Sequence, residues 1–125
     1  MSLLKPITAF AVSFVMLVAC AATPGKVSEK ELAVIRQDAM QIPPGTPRDA
    51  TLDKLKPCNT VRLGAGTYGG VAVEEWKAEA FYEHKDGRDL FVRFLYFANG
   101  KLADVSDQRI DFRNNPALVK QWSGG

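Results

Sequence analysis

Residues 71–102 read VAVEEWKAEAFYEHKDGRDLFVRFLYFANGKL, and this stretch decides the fold. Ala72, Trp76, Ala78, Ala80 and Tyr82 recur at even positions, and Glu75, Lys77, Glu79 and Glu83 at odd ones. Side chains alternate across a strand, so this is the pattern of a half-buried strand. Val73, Glu74 and Phe81 are its exceptions. Asp86-Gly87 is a hairpin signal, because glycine supplies the backbone conformation that tight turns demand. Leu90 to Phe97 is almost wholly apolar and broken only by Arg93, as in a central strand. Asn99-Gly100 is a second tight turn. A third strand-like run spans Leu102 to Phe112, and its phase changes between Val105 and Ile110. That change predicts a bulge or bend near Ser106–Arg109.

Working back toward the N-terminus, Pro57 closes a short helical segment that begins around Gly45-Thr46-Pro47-Arg48-Asp49. Thr46 is the expected N-cap, Pro47 suits the first helical position, and Asp49 favours the helix dipole. Leu52 and Leu55 give it a thin apolar edge. An earlier helix opens with Ser28 and Glu31 in capping-box spacing. It carries Leu32, Ile35 and Ala39 on one face, with Val34 and Met40 flanking, and stops by Ile42 before Pro43-Pro44. After the strands, Asn115-Pro116 caps one last turn bearing Leu118, Val119 and Trp122. Gly64 to Gly70 reads as a glycine-rich loop. The expected fold class is therefore α+β: two N-terminal helices packed on a three-stranded antiparallel meander, in the order α-α-β-β-β.

The chain has 125 residues, 46% hydrophobic and 24% charged, with a formal net charge of +2. This is enough for one core, and too little for a Rossmann domain with a separate substrate domain. No basic stripe of the kind that marks nucleic-acid binders stands out, so no nucleic-acid partner is expected.

The first residues have their own logic. Lys5 is followed by an uncharged run from Pro6 to Val18, short for a bilayer span and suited to the apolar segment of an export signal. Leu17-Val18-Ala19-Cys20 then resembles the lipobox of bacterial lipoproteins. The reading is a signal peptide over 1–19, a lipidated tether over 20–27 and a single domain over 28–125, with Cys20 as the lipidation site. The alternative is a secreted protein cut after Ala19 or Ala22. Acyl chains contribute about 0.8 kcal/mol per buried methylene, so two or three anchor a protein without a transmembrane helix. Ala21 after the cysteine, by resemblance to the sorting habit of enterobacterial lipoproteins, implies the outer membrane and its periplasmic face.

Acylation of Cys20 leaves Cys58 without an intramolecular partner. Two readings stand: a small buried side chain beside Pro57, or a thiol that pairs between chains in an oxidising compartment. One histidine and one free cysteine cannot supply three metal ligands, so no metal or other cofactor is expected.

A family resemblance spans roughly Ile42 to Val105. Ile42, Gly45-Thr46, Leu55 and Pro57, then Trp76, Phe81-Tyr82 and Phe97-Ala98-Asn99-Gly100-Lys101-Leu102 with Val105, resemble the SmpA/OmlA, or BamE-like, outer-membrane lipoproteins. Lys56 stands where that family has a glycine after the leucine. The resemblance implies an accessory subunit of the β-barrel assembly machinery that catalyses nothing. It would touch partner lipoproteins and anionic phospholipid and would have no small-molecule substrate. The same layout occurs in β-lactamase-inhibitor-like modules, so a free-standing binding or inhibitor lipoprotein is the alternative.

Other motifs weigh less. Gly64-Ala-Gly66-Thr-Tyr-Gly69 spells G-x-G-x-x-G, but a dinucleotide site needs a helix after it, and Val71-Ala72-Val73 reads as a strand. Tyr68 in that loop is a candidate partner contact. So is Arg93, whose bland alternative is a charge paired with Glu79 on an open sheet face. His84 is the single histidine and lies beside a turn, so any acid–base chemistry would have to use it, alone or with Cys58. Glu74 and Glu75 point to opposite faces of a strand and cannot act as a carboxylate pair. Trp76 and Trp122 read as packing residues.

Overall fold

A computed structural model of the chain describes residues 23–124. The signal peptide expected over 1–19, the lipobox-like Leu17–Cys20 and the lipidation site expected at Cys20 lie outside the described residues. The elements, in order, are helices α1 (Glu29–Gln41) and α2 (Arg48–Lys54), strands β1 (Asn59–Tyr68), β2 (Val71–His84), β3 (Gly87–Ala98) and β4 (Lys101–Ser106), and helix α3 (Pro116–Trp122). The strands form one antiparallel sheet in the order β1-β2-β3-β4. The expected class, α+β with helices leading, meets a correction: the meander has four strands, not three.

The additional strand is β1, which runs through the segment expected to be a loop. Glycine is a poor strand residue because it has no side chain to pack. Here that absence is used. A Cβ on Gly66 would lie 2.9 Å from the Tyr68 hydroxyl, because the tyrosine ring folds back over it. A Cβ on Gly64 would lie 3.2 Å from an Arg113 guanidinium nitrogen. The turn itself is only Gly69-Gly70, at φ 58° and 82°. The G-x-G-x-x-G pattern is thus an edge strand with two bare positions and a tight turn.

α1 forms as its sequence dictates. Ser28 Oγ accepts from the Glu31 amide at 3.1 Å, and the Ser28 amide donates to Glu31 Oε1 at 2.9 Å. Leu32, Ile35 and Ala39 are buried, Val34 and Met40 exposed. α2 is capped differently from expectation. Pro47 is its N-cap, with no side-chain cap, and the Thr46 hydroxyl donates to the Pro43 carbonyl at 2.7 Å instead. Inside α2, Thr51 is fully buried, its hydroxyl donating to Pro47 O.

Both faces of the sheet are covered. On the first, Ala78 and Ala80 of β2, Phe91, Leu95 and Phe97 of β3 and Leu102 of β4 pack with Leu32, Ile35, Ala39 and Leu55. Trp76, Tyr82 and Val105 join from the rim. Full burial of one such aliphatic or aromatic side chain stabilises by about 1.5–3 kcal/mol. On the second face, Val71, Val73, Tyr96 and Ala98 pack with Phe112 and Val119, flanked by Tyr68, Phe94, Ile110, Leu118 and Trp122. The chain therefore leaves β4 at Ser106, where the phase change predicted a bend, and crosses to the second face. Its last turn closes there, the Asn115 side chain accepting from the Leu118 amide at 3.2 Å. Among the described residues, both cores are built from positions 27–122.

The sheet's two edges differ. Along β4, the Gly45 amide donates to Leu102 O, Leu102 N to Thr46 O, and Arg48 N to Gly100 O. β4 is also short, and its register with β3 shifts at Tyr96/Phe97. The outer edge of β1 receives no backbone pairing among the described residues. Beyond the end of β1, the segment Gly25–Val27 takes its place beside β2: the Phe81 amide donates to Gly25 O at 2.8 Å and the Val27 amide to Phe81 O at 2.9 Å.

Candidate functional site

Position 75 was expected on the wet side of β2. Glu75 is instead 1% exposed and sits under the C-terminal segment. Its partners come from three places in the chain. Tyr96, opposite it on β3, donates its hydroxyl to Oε2 at 2.8 Å. Arg109 donates to both oxygens, at 2.8 Å to Oε1 and 3.2 Å to Oε2. An Arg113 nitrogen lies 3.9 Å from Oε1. The Tyr96 oxygen in turn accepts the Ile110 amide at 2.8 Å. Sheet and covering segment are thereby tied through one carboxylate and one phenol.

The electrostatics follow from this geometry. Burial pushes the Glu75 carboxyl up. The hydrogen bonds from Arg109 and Tyr96, with the nearby charges of Arg109 and Arg113, outweigh burial and hold it below the ordinary glutamate range. Burial pushes the Tyr96 phenol up to about 12, so it remains a donor.

Beside this cluster lies a groove of about 720 Å³. One wall is the β1–β2 turn, with Thr67, Tyr68, Gly69 and Val71, and the other is Phe112, Arg113, Pro116, Val119, Lys120 and Ser123. The Tyr68 ring meets Phe112 edge-on at 5.2 Å between centroids, and Arg113 lies over the Phe112 ring at 4.6 Å. Among the described residues no acidic side chain lines the groove.

Tyr68 therefore stands where a contact residue would be useful, in a groove wall rather than a loop tip. Arg93 lies elsewhere. It is on the helix side of the sheet, over the Phe91 ring at 4.8 Å, with its guanidinium donating to Val92 O. The pairing with Glu79 does not form: Glu79 pairs with Lys77 at 3.8 Å. Arg93 lines a smaller cleft of about 330 Å³ with Met40, Pro44 and Asp104. The structure does not bring Tyr68 and Arg93 together.

The remaining candidates are accounted for locally. Glu74 faces the helices, accepting from Arg48 at 3.0 Å and from the Trp76 indole at 2.7 Å, opposite in direction to Glu75. His84 sits at its turn, with Nδ1 accepting from the Asp86 amide and Nε2 3.3 Å from Asp89. Cys58 is buried in the first core, and burial pushes its thiol up to about 11, away from nucleophilic use. Among the described residues no cluster of three metal-ligating side chains occurs, and no helix is long and apolar enough to cross a membrane.

Arg109, Arg113 and Lys120 were not singled out from the sequence. The phase change after Val105 reaches Arg109 and marks where the chain changes faces, but no signal pointed to Arg113 or Lys120. No family model matches the chain, and comparison with curated proteins and with solved structures returned no match.

Proposed function

We propose that this chain is a non-catalytic lipoprotein of the outer membrane's periplasmic face, anchored through acyl chains on Cys20 and working by binding. The observation that carries the reading is Leu17-Val18-Ala19-Cys20 at the end of an uncharged run. The resemblance to SmpA/OmlA lipoproteins over Ile42–Val105 adds the role of accessory subunit in β-barrel assembly, with partner lipoproteins and anionic phospholipid as its contacts. A chemical argument supports the non-catalytic part. Cys58 is buried in a core with its thiol pushed up to about 11, and His84 meets Asp86 and Asp89 rather than that thiol.

The second reading, a free-standing binding module, is favoured by β1 and the C-terminal cover. Neither belongs to the three-stranded layout expected from the sequence, and together they frame a groove.

The test is purification of the tagged protein from detergent-solubilised outer membranes. Near-stoichiometric recovery of barrel-assembly subunits supports the accessory role, and recovery alone supports the free-standing module. A Cys20→Ser protein that still fractionates with the membrane would sink the anchored reading altogether.

A further inference from the structure

The groove between the β1–β2 turn and α3 has the features of a ligand site. Its volume of about 720 Å³ lies within the range of about 300–1,000 Å³ that small-molecule sites occupy. Its walls are largely apolar: Tyr68, Val71, Phe112, Pro116 and Val119. Its charges are all of one sign, Arg113 and Lys120, with no carboxylate among the lining residues.

The neighbourhood keeps that charge available. Glu75 is the buried counter-ion of this face, and Arg109 takes both of its oxygens at 2.8 and 3.2 Å. Arg113 is left at 3.9 Å, outside hydrogen-bond range, with its side chain 46% exposed. Two guanidiniums thus share one carboxylate, and a positive charge is left over at the groove. Lys120 is exposed and makes no ion pair among the described residues. The bare positions Gly64 and Gly66 let Arg113 and the Tyr68 ring lie close against β1, which holds the cation and the aromatic wall side by side.

We propose that this groove binds one molecule of a small amphiphile with an anionic head, its apolar body against Tyr68, Val71 and Phe112 and its head between Arg113 and Lys120. A carboxylate or a phosphate meets the requirement equally, since both accept charge-assisted hydrogen bonds from a guanidinium. The occupant is a single free molecule rather than a bilayer surface, because the cations sit within a groove and not on a flat face. This proposal stands independently of the lipid anchor and of the assembly role.

Calorimetric titration with dodecanoate below its micellar concentration tests it, using the chain from Cys20 onward carrying Cys20→Ser. Saturable one-to-one binding is expected. Arg113→Gln and Lys120→Gln should each weaken it about tenfold, the equivalent of one lost charge-assisted contact. Lys56→Gln, away from the groove, should leave it unchanged. The cation dodecyltrimethylammonium should not compete. A thermal melt of each variant checks that the fold is kept. No saturable heat, equal binding of the cationic amphiphile, or full affinity in both groove variants would each overturn the proposal. So would binding confined to phosphatidylglycerol vesicles with none to dodecanoate, which would assign the charge to a membrane surface.

Discussion

The two faces of this sheet are closed by different physics. The first is covered by α1 and α2, whose backbone hydrogen bonds are met within the helices except at their ends, where Ser28 caps α1 and the Arg48 amide reaches Gly100 O. The cover has only to present apolar side chains, and Leu32, Ile35 and Leu55 do so against Phe91, Leu95 and Phe97. The second is covered largely by irregular chain between Ser106 and Pro116. Such a cover brings unpaired backbone groups with it, and these need partners. The Ile110 amide finds the Tyr96 hydroxyl, and that hydroxyl is oriented by Glu75. A regular cover permits an apolar interface, whereas an irregular one needs a polar fastening buried beneath it.

The difference can be broken from either side. On the first face, Phe97→Ala should have the largest effect, a loss of about 3–5 kcal/mol in urea unfolding, because Phe97 is fully buried and leaves a cavity. On the second, Tyr96→Phe should destabilise by about 1–3 kcal/mol, the range for a buried donor or acceptor left without its partner. It should also act locally: the Ile110 amide should lose protection in hydrogen exchange while the amides of β2 keep theirs. Equal loss across both elements would mean that the covering segment does not open as a unit. Glu75→Gln should destabilise by a similar amount, about 1–3 kcal/mol, moderated because Arg109 is more than half exposed and regains water.

The fastening should also titrate, and the apolar face should not. The Glu75 carboxyl is held below its unfolded value of about 4.3, so its contribution is fully present above that pH. It is lost as pH falls through the folded-state value. The stability gap between wild type and Glu75→Gln should be constant near neutrality and shrink as the solution is made acidic. The gap between wild type and Phe97→Ala should show no such term. A smaller effect is expected at the start of α1. Ser28→Ala removes one half of the capping box and should lower the thermal midpoint by an amount equivalent to about 1 kcal/mol.

The same contrast governs what was legible beforehand. The first face follows hydrophobic periodicity, and α1 with its cap, the hairpins joining β2 to β3 and β3 to β4, and the even side of β2 from Trp76 to Tyr82 can be read directly. The second face hides from that signal. Its burial includes a carboxylate, which reads as solvent-facing, and its edge strand contains glycines, which read as loop. Glu75 was misplaced because its partner Arg109 is distant in sequence, and β1 because its glycines leave room for the Tyr68 ring and Arg113. Ala72 was expected inside with the even positions and is exposed, while both Ala80 and Phe81 are buried. The buried side changes along β2, from Val71, Val73 and Glu75 to Ala78 and Ala80, and Phe81 is buried as well because Arg88 lies over its ring at 4.5 Å and Gly25–Val27 pairs beside it. Of the site, Tyr68 was visible as an aromatic among glycines. Arg113 and Lys120 were not, since isolated basic residues near a C-terminus carry no pattern.

The unequal edges of the sheet set a limit on assembly. Strand addition is additive only if each newcomer offers a fresh edge to the next. Both edge strands carry a register irregularity, but β4 is short and occupied from Gly100 to Leu102 by the chain around Gly45–Arg48, while the outward-pointing backbone groups of the longer β1 are unpaired among the described residues. The sheet is thus monovalent. A second copy that docks through β1 uses up the long edge of both molecules, and the pair ends there. In polymer terms the described residues have the layout of a chain terminator, with one edge that could cap a growing sheet and no second open edge to extend it.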